Sequence, residues 1–307
     1  MHLPLRTIVA AAALLAGAGV LSATGFAADW RKDYPTVTLG VTSAENQADL
    51  LARYKPVQEY LGKALGTTVR VITASDYAGI IEAMKSKKVE MAYFGPASYA
   101  KAYEVTGGNV EPVAVQTDDL GIALYMSVIV VKVDSPYKTI QDLKGKTLAW
   151  ADPNSTSGFQ VPNYYLRQQG IVPEQFFAKA GFGGSHENSV LAVLNGTYDA
   201  AATWYRNEQR NNFKRMADKN MIPQDAVRIV WQSPKLPESP WTLQKSLPAA
   251  MKADITRHLL ALPSADPAAW KALTDGKSKD LAPVTHEHYI DVIKLIKENE
   301  RLCRTQS

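Results

Sequence analysis

Cysteine is nearly absent: Cys303, close to the C-terminus, is the only one in 307 residues. No disulfide can form within one copy, and a single thiol in no motif reads as inert. Histidine is also scarce, with five in the chain. The one close pair, in His286-Glu287-His288, has no evident third ligand, so it reads as a surface helix cap and no metal is expected. An excess of one charge is lacking too. Lys and Arg number 34 against 30 Asp and Glu, for a net charge of +4. These charges are interspersed, which excludes a nucleic-acid-binding face. Long apolar runs are missing after the first 28 residues. The stretch from Ile8 to Leu21 is shorter than the roughly 20 residues of a membrane span.

That stretch has a different use. Arg6 precedes it, and Phe26-Ala27-Ala28-Asp29 follows. A basic start, an apolar middle and small residues make a secretory signal peptide, with cleavage expected after Ala27 or Ala28. No Cys follows to carry a lipid. Residues 1–28 are therefore expected to be removed, leaving an unlipidated mature chain in the periplasm of a double-membraned bacterium, not inserted in the membrane.

The remainder is 46% hydrophobic and 21% charged over the whole chain, an ordinary globular composition. It alternates strand and helix signals. Val37, Leu39 and Val41 alternate as in a strand; Leu50, Tyr54, Val57 and Leu61 share a helical face that Gly66 ends. Strands over 68–72, 89–94 and 110–116 alternate with helices over 76–85 and 97–105. A second run follows: strands over 126–132 and 147–150, helices over 158–169 and 189–195, strands near Ala200 and Arg228. The C-terminal part reads as helices over 248–262, 268–274 and 288–301. Such alternation predicts mostly parallel sheets flanked by helices. Two irregular crossings, 116–125 and 231–241, divide the chain. The expectation is an α/β protein of two lobes: 29–120, then 121–233, with 234–307 completing the first lobe.

Asp152-Pro-Asn-Ser-Thr-Ser-Gly158 stands between a strand and a helix. Ser155, Thr156 and Ser157 at a helix start, before a Gly that permits close approach, suit a tetrahedral oxyanion: unpaired N–H groups, a positive dipole end and hydroxyl donors converge there. Plain helix capping would use the same residue types. Tyr77 opens another helix behind Asp76, and His186 follows Gly183-Gly184-Ser185. Enzyme templates fail. Ile140 stands where a P-loop before Gly145-Lys146-Thr147 needs its first Gly, and Val190 where a zinc-protease motif needs its second His. The loop at 183–187 lacks the last Gly of a nucleophile elbow. No catalytic residue and no cofactor is expected.

Three of these pieces carry a resemblance: Asp76-Tyr-Ala-Gly-Ile-Ile, Asp152-Pro-Asn-Ser-Thr-Ser-Gly-Phe, and Ser185-His-Glu-Asn with Val193-Leu-Asn-Gly-Thr-Tyr-Asp199. In this order and spacing they resemble the phosphonate-binding proteins of bacterial ABC importers, over about 37–245. The resemblance implies a type II periplasmic binding protein, two Rossmann-like lobes joined by two crossing strands. It implies a phosphonate head group held by Tyr77, Tyr125, Ser155, Thr156, Ser157 and His186, and a permease as partner of a monomer. The far end of the pocket would involve Tyr93, Trp204, Tyr205, Arg206 and Ser239. Here the chain departs from the family's pattern. Members that bind 2-aminoethylphosphonate hold its ammonium with two carboxylates; Arg206 and Ser239 occupy those places, with Glu208 and Glu238 close by. The departure disfavours an amine tail and suits an anionic tail, or a bare ligand such as phosphite, methylphosphonate or phosphate. A ligand sensor feeding a receptor would share the fold; a phosphorus-ester hydrolase would need a metal or nucleophile that the sequence does not show.

Overall fold

The computed structural model describes residues 29–306; the expected signal peptide lies outside the described residues. The chain begins with Thr36–Val41 (β1), Gln47–Leu65 (α1), Thr68–Ile72 (β2), Tyr77–Lys85 (α2), Met91–Tyr93 (β3), Pro96–Val105 (α3) and Val110–Thr117 (β4). It crosses to Leu124–Lys132 (β5), Thr147–Trp150 (β6), Val161–Gln168 (α4), Pro173–Phe176 (α5), Lys179–Phe182 (β7), His186–Leu194 (α6), Ala200–Asn207 (β8), Arg210–Asn211 (β9), Asn212–Asp218 (α7) and Val227–Gln232 (β10). It returns through Leu236–Pro237 (β11) to Pro240–Gln244 (β12). Ala249–Ala265 (α8), Pro267–Thr274 (α9), Asp280–Pro283 (β13) and Ile290–Gln306 (α10) follow.

Local rules explain most of these boundaries. In α1 the Asn46 side chain accepts from the Ala48 N–H, and Gly66, at φ 65°, closes the C-terminus in the left-handed region. The predicted face of α1 is fully buried. Asp76 caps α2 through the Gly79 N–H at 2.9 Å. β7, α7 and β13 were not apparent in the sequence pattern, because each is too short to establish a period.

One sheet has the order β13-β4-β12-β3-β1-β2 and the other β10-β5-β8-β6-β7, with β11 and β9 attached at β5 and β8. β1, β2 and β3 are parallel, whereas β12 is antiparallel to both β3 and β4. In the other sheet β5 is antiparallel to β8 and β10, while β6 is parallel to β7 and β8. The parallel pattern expected from the sequence thus needs a correction. β5 and β12, each reversed against both neighbours, directly follow the two crossings; β13 is also antiparallel to its neighbour β4. A strand arriving from the other sheet enters from the cleft side and so runs opposite to those that end there.

Apolar clusters cover both faces of each sheet. Trp30, Leu39 and Trp241 pack under α1, α8 and α9; Ile80, Phe94, Tyr99 and Tyr289 pack on the opposite face. Ile129, Trp150 and Leu166 lie on one side of the second sheet, Val128, Val190 and Met216 on the other. The crossings pair with each other: Leu236 opposes Tyr125, and the Glu238 N–H donates to the Ala123 carbonyl at 3.0 Å. α10 reaches further than a helix of the first lobe alone. Val292 and Ile296 pack on Ala97 and Ala100 of α3, while Asn299 donates to Gln160 beside α4 at 2.9 Å. Among the described residues no helix is long and apolar enough to cross a membrane.

Candidate ligand-binding site

Ligands of open α/β sheets sit beyond the carboxyl ends of the strands. Here those ends face each other. Past β1, β3 and β6 the chain turns into helix starts, and between them lies a cavity of about 140 Å³. This is well below the roughly 300–1,000 Å³ of a drug-sized site, so the ligand is small.

Tyr77, Tyr125, Ser155, Thr156, Ser157 and His186 all line that cavity, and all are buried. The segment Thr156–Gln160 is a π-turn rather than the first turn of a regular helix, with the Gln160 N–H donating to the Ser155 carbonyl at 3.0 Å. The wider turn presents successive hydroxyls to the cavity. Ser155 Oγ accepts from the Gly158 N–H at 3.0 Å and lies 3.0 Å from His186 Nε2. The other imidazole nitrogen lies 3.2 Å from Thr203 Oγ1. The Tyr77 hydroxyl is near Ser155 and Thr42, and the Tyr125 hydroxyl near Thr156 and Ser157.

Burial sets the protonation states. Desolvation raises the Tyr77 and Tyr125 hydroxyls far above their usual range, so both stay O–H donors. Burial, assisted by Arg215, pushes His186 down from 6.5 to about 3. This end of the cavity therefore offers neutral donors, with the Arg215 cation acting on it from nearby. The His shift has a consequence for stability. Between those two values the unfolded chain takes up a proton that the folded one excludes, so stability falls as pH falls. The slope from this residue is about 1.4 kcal/mol per pH unit. Denaturant titrations at about pH 7 and about pH 5 are expected to differ by about 2 kcal/mol more in the parent than in His186→Gln. Identical pH slopes would remove His186 as the cause.

Both sheets contribute, and the cleft is closed. The Tyr77 N–H donates to Asp152 at 3.2 Å, the Ala97 N–H to Thr156 Oγ1 at 2.8 Å, and Ser98 Oγ to the Asn154 carbonyl at 2.9 Å. The Asn46 N–H donates to Glu187 at 2.9 Å, and Lys219 bridges Glu45, Asp49 and Glu187.

At the far end, Tyr93, Trp204, Arg206 and Ser239 line the cavity, and Tyr205 does not. Tyr205 stacks on Phe213 outside it, because alternate side chains of a strand point to opposite faces. Arg206 is directed away from a ligand role. It donates to the Gln116 and Ile122 carbonyls at 3.2 and 2.7 Å and lies 3.2 Å from Glu238. Glu238 itself borders the cavity, so a carboxylate does stand there, one residue before Ser239, but matched by Arg206.

Arg53, Arg210 and Arg215 also line this end, and no motif marks them. Arg53 had one signal: it lies three residues after Leu50 and beside Tyr54, on the buried face of α1. Arg210 and Arg215 sit on β9 and α7, which only the tertiary fold reveals.

Two α/β lobes closed over a small polar pocket define a two-lobed solute-binding protein of the type II periplasmic fold. The chain belongs to the family described as "ABC transporter, phosphonate, periplasmic substrate-binding protein", whose profile matches residues 39–289. It is 33% identical over 223 residues to the phosphonates-binding periplasmic protein of Escherichia coli strain K12, covering 71% of this chain and 64% of that one. It is 35% identical over 211 residues to the phosphate-import protein PhnD of Mycolicibacterium smegmatis, covering 64% of this chain and 63% of that one. The chain thus spans less than two thirds of the length of either relative. In three dimensions it is similar to the binding-protein component of an ABC phosphonate transporter from Pseudomonas aeruginosa, with a TM-score of 0.76, 25% identity and 87% of each chain covered.

Proposed function

We propose that this chain captures a small phosphonate, or a closely related phosphorus oxyanion, between its lobes in the periplasm and delivers it to the permease of an ABC importer. The observation that carries this reading is the convergence of Tyr77 from one lobe and Ser155, Thr156, Ser157 and His186 from the other on one small cavity. Hydroxyls of Ser, Thr and Tyr bind several oxygens of a tetrahedral anion without a fixed ion pair, which is compatible with release. Contacts from both lobes to one ligand favour the closed form, and closure is the signal a membrane partner can read. The two relatives are named for phosphonates and for phosphate, so their names leave the choice among phosphonate, phosphite and phosphate to the pocket. The N-terminal signal expected from the sequence is the route of export.

The test is a thermal-shift screen of purified protein against alkylphosphonates, phosphite, phosphate and sulfate, followed by calorimetry. At a hundredfold excess over Kd, a cognate ligand is expected to stabilise by about 2.7 kcal/mol. If no phosphorus oxyanion raises Tm, this reading is wrong.

A further inference from the structure

The charges at the far end of the cavity do not pair off completely. Glu238 is matched by Arg206. Glu45 is shared by Arg53, Arg215 and Lys219. Lys277, from the loop after α9, pairs with Asp218, and Asp275 is exposed. Arg210 is left. It makes no ion pair among the described residues; its guanidinium is held by two neutral oxygens, Ser278 Oγ and Gln116 Oε1. The groups that act most strongly on it are Glu238, Arg206, Tyr93 and Arg215, of which Glu238 is the carboxylate. Desolvation lowers its affinity for a proton, and Glu238 offsets only part of that. The Nε atoms of Arg53, Arg206 and Arg215 are buried without a hydrogen-bond partner, as are Glu45 Oε1 and Asn212 Oδ1.

A desolvated guanidinium on neutral acceptors, lining a cavity, lacks a counter-anion. The oxyanion end already has its own donors, so the missing anion is a separate group. We infer that the ligand is a phosphonate carrying a carboxylate on a short chain, with the phosphorus oxygens in the Ser155–Ser157 cradle and the carboxylate facing Arg210. This rests on the phosphonate reading above and narrows it. Trp204 and Tyr93, which line the same cavity, flank the connecting carbons. Glu238 attracts an amine tail only weakly, since Arg206 neutralises it.

Calorimetry on the purified chain with methylphosphonate, 2-aminoethylphosphonate, phosphonoacetate and 3-phosphonopropionate tests the inference. At least one carboxylate-bearing ligand is expected to bind about tenfold or more tighter than methylphosphonate, and 2-aminoethylphosphonate weaker than either. In Arg210→Gln the ratio of carboxylate-tailed to methylphosphonate affinity is expected to fall to about one, with Arg210→Lys intermediate because a point charge replaces the fork. If methylphosphonate binds but both carboxylates bind no tighter, the anionic tail is wrong and the phosphonate reading stands. If none of the four binds, the phosphonate reading itself fails. If Arg210→Gln keeps the full ratio, Arg210 is not the partner. Should that variant not fold, the ranking in the parent protein decides.

Discussion

Gly158→Ala is expected to cost the protein both stability and ligand. A Cβ at this position would stand 2.4 Å from Ala151 Cβ, 2.8 Å from Ser155 Oγ and 2.9 Å from His186 Cε1. None of the three neighbours can yield freely. Ala151 directly follows β6, and its N–H donates to the Gly158 carbonyl at 3.0 Å. Ser155 accepts from the Gly158 N–H itself, and His186 is buried at the start of α6. The turn must move, and overpacking of this kind costs about 1–3 kcal/mol. Moving it also separates Ser155 from Tyr77 and His186, so affinity for a phosphorus oxyanion is expected to fall by about tenfold or more. Urea titration and calorimetry check the two halves independently. A variant that melts and binds like the parent would show that the close packing around this glycine is not needed.

Ser155→Ala is expected to weaken binding by about 1–3 kcal/mol, and Tyr77→Phe by a similar amount. Each removes a hydroxyl donor from a buried anion. Ser155 does more than face the ligand: its oxygen accepts the Gly158 N–H and meets His186 Nε2. Its loss leaves that buried N–H unsatisfied and frees the imidazole on one side. Because Tyr77 and Ser155 line one small cavity as neighbours, their effects are not independent, and the double variant is expected to lose less than the sum of the two. Unchanged affinity in both single variants would show that the cradle is placed wrongly. Strict additivity would show that the two hydroxyls act separately.

Most of the fold could be read in the chain because periodicity is local. The face of α1, the alternation in β1, the glycine at 66 and the cap at Asp76 all depend on neighbours within a few residues. The hydroxyl-rich end of the cavity was also legible, since Ser155, Thr156, Ser157 and Gly158 are consecutive and their placement follows from a strand turning into a helix. The reversed directions of β5 and β12 were not legible, because strand direction depends on which sheet the chain has just left. Nor was the π-turn, a change of one residue in a hydrogen-bond ladder that hydrophobic spacing does not register.

The far end of the pocket shows the limit most clearly. The sequence placed Trp204, Tyr205 and Arg206 there as a group; strand alternation turns Tyr205 out. The sequence marked Arg206 as the charge that would choose the ligand's tail. The fold instead ties Arg206 to Glu238 and two carbonyls and brings Arg210 to the cavity. Sequence alone determined the two-lobed α/β architecture and the hydroxyl-rich turn, since both are written in short-range pattern. Tertiary structure alone decided which charges are paired and which face the cavity. Pairing joins residues as far apart as Gln116, Arg210 and Ser278, and whether a charge has a partner depends on distance in space, which residue order does not encode.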